Sequence, residues 1–113
     1  MIESYSFGKM VIDGREYTAD LIIYPDGRIR DSWWRVQGHR LTRNDIEDLV
    51  EENPEVIIAG TGAFGLMKPD QDLSVRLKEK GIEFIALPTE PAVRVYSKTS
   101  REKRTGACFH LTC

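Results

Sequence analysis

The segment Gly60-Thr61-Gly62-Ala63-Phe64-Gly65 is where residue types and spacing come nearest to a recognisable chemistry. It satisfies G-x-G-x-x-G and the first half of G-x-x-x-x-G-K-[ST], patterns whose backbone N–H groups cradle phosphate at the end of a strand. Its continuation departs from both. A phosphate loop needs Lys and then Ser or Thr directly after the last glycine, whereas Gly65 is followed by Leu66 and Met67, with Lys68 displaced and Pro69 behind it. A dinucleotide fingerprint runs straight into a helix and finds an acid at the end of the next strand, where this chain has Ala86-Leu87. The mismatch favours glycines chosen for a tight turn and close packing. The other reading is an anion or nucleotide-like ligand site at Gly60, Thr61 and Gly62, with Arg35 or Lys68 neutralising the ligand. The connection is longer than the usual βα loop of about 2 to 6 residues, a length more often found in functional loops.

Trp33-Trp34-Arg35 is the second unusual feature. Adjacent residues on extended backbone face opposite ways, so only one indole enters the core easily. The other either marks an interface or lies under a hairpin or under Arg35. Histidine and cysteine offer less. His39 sits in a polar stretch and His110 in an apolar one, and two cysteines give no C-x-x-C or H-x-x-x-H spacing for a metal. Cys108 and Cys113 are five apart in an expected strand, on opposite faces and too distant for a disulfide, and the same geometry argues against a Cys113–His110 thiolate pair. Glu47, Asp48, Glu51 and Glu52 read as a solvated helix face, and Arg101, Lys103 and Arg104 as a wet loop.

These residues must be held by elements. Lys9–Ile12 and Arg15–Tyr17 flank Asp13-Gly14, and Leu21–Tyr24 and Arg28–Arg30 flank Pro25-Asp26-Gly27, two hairpin signals in succession. From Thr42 the period becomes helical, with Ile46, Leu49 and Val50 on one face, Thr42 and Asp45 as an approximate capping box and Asn53-Pro54 as the stop. Val56–Ala59 is short and wholly apolar, as expected of a strand covered on both faces. Pro69-Asp70 is expected to open a second helix carrying Leu73 and Leu77 and ending at Gly81, and Ile82–Leu87 a second buried strand. Thr89 reads as the cap of a third helix with Ala92, Val93 and Tyr96 inside, followed by a last strand from Ala107 to Leu111. This α-β-α-β-α-β order implies parallel strands joined by right-handed crossovers, hence a three-layer α/β domain spanning residues 1–113. Its central sheet is mixed but largely parallel, with helices on one side and an N-terminal hairpin layer on the other. The core is expected from Ile46, Leu49, Val56, Ile57, Ile58, Leu77, Phe84, Ile85, Leu87, Val93 and Tyr96.

Composition narrows the classes. With 113 residues, 41% hydrophobic and 30% charged, the chain is one domain long and neither fibrous nor disordered. A net charge of −2 offers no general attraction to phosphate backbones, so nucleic acid is not an expected partner. No apolar run approaches the roughly 20 residues that a bilayer needs, and Met1–Tyr5 has no leader-like pattern, so a cytoplasmic location without membrane contact is expected. No cofactor is expected.

Four segments together carry a resemblance: Ser32-Trp33-Trp34-Arg35, Ile58-Ala59-Gly60-Thr61-Gly62, Leu87-Pro88-Thr89-Glu90-Pro91-Ala92 with Tyr96, and Gly106-Ala107-Cys108-Phe109-His110-Leu111-Thr112-Cys113. The chain resembles the Mth-type domain family, most specifically its adipogenesis-associated branch through the F-H-x-T-C ending, and more distantly a mitochondrial complex I assembly factor. The resemblance implies a mixed α/β sheet and an interaction or assembly role, and it carries no catalytic residues. The leading expectation is therefore a non-enzymatic protein-interaction module with an unidentified protein partner, its surface including Trp33, Trp34 and Arg35. Small-ligand binding at Gly60, Thr61, Gly62 and Lys68 is the alternative. A homodimer formed through the surplus indole and an open strand edge is a third.

Overall fold

Both hairpins form where the turn chemistry places them. The computed structural model describes all 113 residues. Strands β1 (Ile2–Ser6), β2 (Lys9–Ile12) and β3 (Arg15–Tyr17) make a three-stranded antiparallel sheet. The Asp13-Gly14 turn takes the positive φ values, 48° and 80°, that its sequence suits. β4 (Leu21–Ile23) and β5 (Ile29–Arg30) form the second hairpin around Pro25-Asp26-Gly27.

β4 and β5 belong to the central sheet, together with β7 (Val56–Thr61), β9 (Glu83–Leu87) and β10 (Thr105–His110), in the order β5-β4-β10-β7-β9. β10, β7 and β9 run parallel, and β4 pairs antiparallel with β10. All six residues of β7 and all six of β10 are buried, since these strands lie inside the sheet with both faces covered. Side-chain alternation then divides the core. Ile22, Ile57, Ala59 and Cys108 face a layer that includes Trp33, Leu41, Ile46, Leu49, Met67, Leu73 and Leu77. Leu21, Ile23, Val56, Ile58, Ala107 and Phe109 face the hairpin sheet through Met10, Ile12 and Tyr17, together with Ala92 and Tyr96.

The mixed α/β architecture is that expected from the sequence, with several local differences. The first helical stretch is a 3-10 turn over Arg43–Ile46 followed by α1 (Glu47–Glu51), and the Asp45 carboxylate accepts from the Thr42 N–H at 2.8 Å and the Thr42 hydroxyl at 2.9 Å. Pro69-Asp70 does not open a helix. β6 (Arg40–Leu41) and β8 (Lys68–Pro69) pair there in parallel, and α2 spans only Leu73–Lys78. α3 (Thr89–Thr99) lies on the hairpin side of the sheet, apart from the other two helices. Phe84, Ile85 and Leu87 are half-buried rather than core residues, because β9 is the sheet's edge and receives neighbours on one flank only, and Val93 on α3 is half-buried as well. No helix is long and apolar enough to cross a membrane.

The tryptophan pair separates cleanly. Trp33 is 1% exposed and its indole N–H donates to the Asp45 carbonyl at 2.9 Å, whereas Trp34 is 77% exposed. Trp33→Ala is accordingly expected to destabilise the fold by about 3–5 kcal/mol. Trp34→Ala should fall within about 0.5 kcal/mol of the parent. Urea unfolding of both variants, showing equal losses, would contradict this division.

Candidate functional site

The glycine loop leaves β7 at the carboxyl end of the parallel strands, where open α/β sheets usually bind ligands. Its backbone donors are already engaged. The Gly62 N–H goes to the Thr89 hydroxyl at 2.9 Å, Ala63 to the Thr112 carbonyl at 2.6 Å, Phe64 and Leu66 to the Cys113 main-chain oxygen at 3.3 and 3.0 Å, and Met67 to the Thr61 carbonyl at 3.0 Å. The loop thus wraps the segment after β10. The Thr89 hydroxyl does not cap α3; it donates to the His110 carbonyl at 2.6 Å and ties the loop to β10. Glycine is required by close approach: a Cβ on Gly60 would sit 2.6 Å from Cδ1 of Phe109, and one on Gly62, whose φ is +108°, would overlap the Cys113 carbonyl group. The Lys68 ammonium donates to the Gly65 carbonyl at 2.8 Å, so this lysine braces the loop it was expected to charge.

Arg35 lies on the other side of the same strand ends. The chain turns at Ser32, φ 56°, and the Trp33 N–H donates to the Asp20 carbonyl at 2.8 Å, which directs Trp33 inward and sends Trp34 out. The Arg35 guanidinium stacks over the Trp33 ring, 4.7 Å from its centroid. Its Nε donates to the Gly38 carbonyl at 2.9 Å and its Nη2 to Oδ2 of Asp20 at 2.8 Å. The Arg35 side chain is only 4% exposed.

Asp20 and His110 complete the cluster, and sequence reasoning missed both roles. Pairing of Phe109 with Leu21 and Cys108 with Ile22 sets His110 opposite Asp20, and His110 Nδ1 lies 2.7 Å from Oδ2 of Asp20. Oδ1 of Asp20 accepts the Leu111 N–H at 2.8 Å. Burial raises the pKa of Asp20, but the bonds from His110, Leu111 and Arg35 outweigh burial and hold it below the ordinary carboxylate value. The carboxylate is therefore ionised and accepts only, so His110 carries its hydrogen on Nδ1. Arg35 Nη1 and His110 Nε2 are buried without a partner, and the His39 ring lies edge-on to His110 with centroids 5.8 Å apart.

The structure thus brings Arg35, Gly60, Thr61 and Gly62 to one end of the sheet with Asp20 and His110, puts Lys68 beside them, and separates Trp33 from Trp34. Cys108 lies two residues before His110 on the same face, and burial pushes its thiol up to about 12, which removes it as a nucleophile. Cys113 lies beyond the end of β10 and is half-buried. No three His, Cys, Asp or Glu side chains gather as a metal site. A lone carboxylate immediately before the apolar run Leu21-Ile22-Ile23 is the only local sign of Asp20's role.

The depressed pKa makes Asp20 a source of stability with a defined pH window. Its contribution is complete above the unfolded carboxylate value, near about 4, and is lost as pH falls through the lower folded value. Asp20→Asn is expected to cost about 3–5 kcal/mol near neutrality, because it strands the Arg35 charge. The gap between the two proteins should narrow from about pH 4 downward. Denaturation midpoints that keep a constant gap across that range would contradict the ionised assignment.

Comparison with known proteins agrees with this fold. A family model described as a protein of unknown function, DUF498/DUF598, matches residues 2–111. The conserved hypothetical protein PH1505 from Pyrococcus horikoshii OT3 is similar at 29% identity and a TM-score of 0.85, with 100% of this chain and 99% of that one covered. A protein named MT938 gives 27% identity and a TM-score of 0.81, covering 100% and 98%. A Bordetella pertussis protein described as a Mth938-like domain shares the fold at 16% identity and a TM-score of 0.64, covering 98% and 85%. With the match running through nearly the whole chain and the same sheet recurring in these structures, the chain belongs to the DUF498/DUF598 family of Mth-type domains, a family of unknown function.

Proposed function

We propose that the domain is a protein-interaction module that docks through the aromatic rim at the carboxyl end of its parallel strands. The exposed Phe7–Phe64 pair carries this reading. The two rings lie 6.2 Å apart, at 57% and 73% exposure. Gly8 approaches Thr112, and the Phe64 N–H is held by Cys113. Leu66 at 43% exposure continues the rim along the glycine loop. Trp34 and Val36, at 77% and 87%, flank Arg35, whose guanidinium reaches the strand ends beneath.

Exposed aromatic and aliphatic side chains gathered at one place are what docking surfaces use, with rings supplying the anchors. The inward-turned loop amides support a protein partner over an anion held on Gly60, Thr61 and Gly62. An open depression of about 330 Å3 beside Thr61, Phe64, Met67, Lys68 and Leu87 gives a partner side chain somewhere to seat. Self-association uses the same rings and differs only in the identity of the partner.

The test compares proteins co-purified from the native cell by the parent and by a Trp34→Ala, Phe64→Ser variant. Both residues are exposed, so folding should change by no more than about 0.5 kcal/mol per site. Partners recovered reproducibly by the parent should disappear with the variant. Recovery of the same set by both proteins would overturn the docking surface, and a parent that scatters light as a dimer while the variant is monomeric would assign the partner as a second copy.

A further inference from the structure

The docking reading makes no use of the buried Asp20, Arg35 and His110 side chains. From these we propose a second property: the cluster binds a small oxyanion, such as a carboxylate or phosphate, between the Arg35 guanidinium and His110 Nε2.

Asp20 is saturated by its own partners. Oδ1 holds the Leu111 N–H, and Oδ2 holds Arg35 Nη2 at 2.8 Å and His110 Nδ1 at 2.7 Å. Because Nδ1 carries the hydrogen, the 3.3 Å approach of Arg35 Nη2 to Nδ1 is a contact between two donors sharing one oxygen. The remaining capacity of the cluster lies in the two atoms that have no partner, Arg35 Nη1 and His110 Nε2. Both side chains are more than nine-tenths buried, at 4% and 7% exposure, where an unmet charged donor is strongly disfavoured. The two groups are in contact through their other nitrogens, 3.3 Å apart, so both unpartnered atoms belong to one cluster.

The chemistry of the pair selects the ligand class. Nη1 only donates, so its partner must accept, and the guanidinium fork is matched to carboxylate and phosphate oxygens. Nε2 accepts when the imidazole is neutral and donates when it is charged. A protonated phosphate satisfies either form, through a hydroxyl in the first case and a bare oxygen in the second, whereas a carboxylate, which only accepts, satisfies the charged form. Asp20 and Arg35 cancel each other's charge, so an anion and an imidazolium together leave the cluster neutral. The place is also one where sheets of this kind bind ligands: His110 is paired in register with Thr61 at the carboxyl ends of β10 and β7. Thr61 shares the face of Ala59, lines the open depression of about 330 Å3, and has Lys68 beside it there. The Arg35–Gly38 bond and the His39 ring cover the cluster, so entry requires the turn at residues 36–39 to lift.

The experiment titrates the full chain with inorganic phosphate and, separately, with acetate, following the His110 side-chain nitrogens by NMR against sodium chloride at equal ionic strength. A saturable shift at Nε2 with one or both anions is expected, absent with chloride. Arg35→Lys keeps a cation for Asp20 but loses the second arm of the fork, and should bind about tenfold more weakly. Arg94→Ala removes a distant exposed cation and should bind as the parent does. No anion-specific shift in the parent would overturn the site whatever the variants do, and so would unchanged affinity in a folded Arg35→Lys protein. Should Arg35→Lys not fold, His110→Gln serves in its place, read by the thermal shift on phosphate addition, which should vanish.

Discussion

The Asp20 carboxylate is the joint on which this end of the molecule depends. Three donors from two chain segments converge on its two oxygens: Arg35 from its loop, and His110 and the Leu111 N–H from the end of β10. Each bond has a charged acceptor and little access to water, which makes it stronger than an ordinary surface pair. Desolvation disfavours the carboxylate, and the donors together outweigh it and hold the group ionised. The joint is therefore cooperative: removing one donor weakens the case for the charge that binds the others. Trp33 is fixed by the same construction, since its N–H is held by the Asp20 carbonyl and its ring carries the guanidinium of Arg35.

That joint fixes the direction of everything around it. The segment after β10 is held at Leu111 and continues into the arms of the glycine loop, whose amides close on Thr112 and Cys113. The loop has no spare donors for a phosphate, yet its aromatic residue, Phe64, is pushed outward to meet Phe7. Polar groups are used inward to close the strand ends, and apolar groups are left outside on the rim. The proposed protein docking belongs to the outer, apolar layer and the proposed anion binding to the inner, polar one.

Much of the fold is readable from local patterns. Asp13-Gly14 and Pro25-Asp26-Gly27 specify their hairpins, and Val56–Ala59 announces a strand buried on both faces. The misread parts are those decided by what lies alongside. Phe84, Ile85 and Leu87 form an apolar run like that of β7, but strand order makes β9 an edge. Pro69-Asp70 looks like a helix start until Arg40–Leu41 pairs with Lys68–Pro69 and Asp70 bonds Arg40 at 2.7 Å. Of the site, Arg35 and the glycines are legible as unusual residues. The Asp20–His110 contact joins residues 90 apart and exists only because β4 and β10 pair in one particular register. No spacing rule reaches that far. Period-two alternation says that one of Trp33 and Trp34 is buried, and it is the Trp33 N–H bond to Asp20 that decides which.

An ionised Asp20 accepts a hydrogen from His110, and the tautomer of that histidine reports it directly. Long-range proton–nitrogen correlation spectra of the imidazole ring at a pH where it is neutral should show the hydrogen on Nδ1 and the lone pair on Nε2. A ring protonated on Nε2 instead would mean that Nδ1 accepts, from Arg35 or from a neutral Asp20, and would contradict this arrangement of the joint.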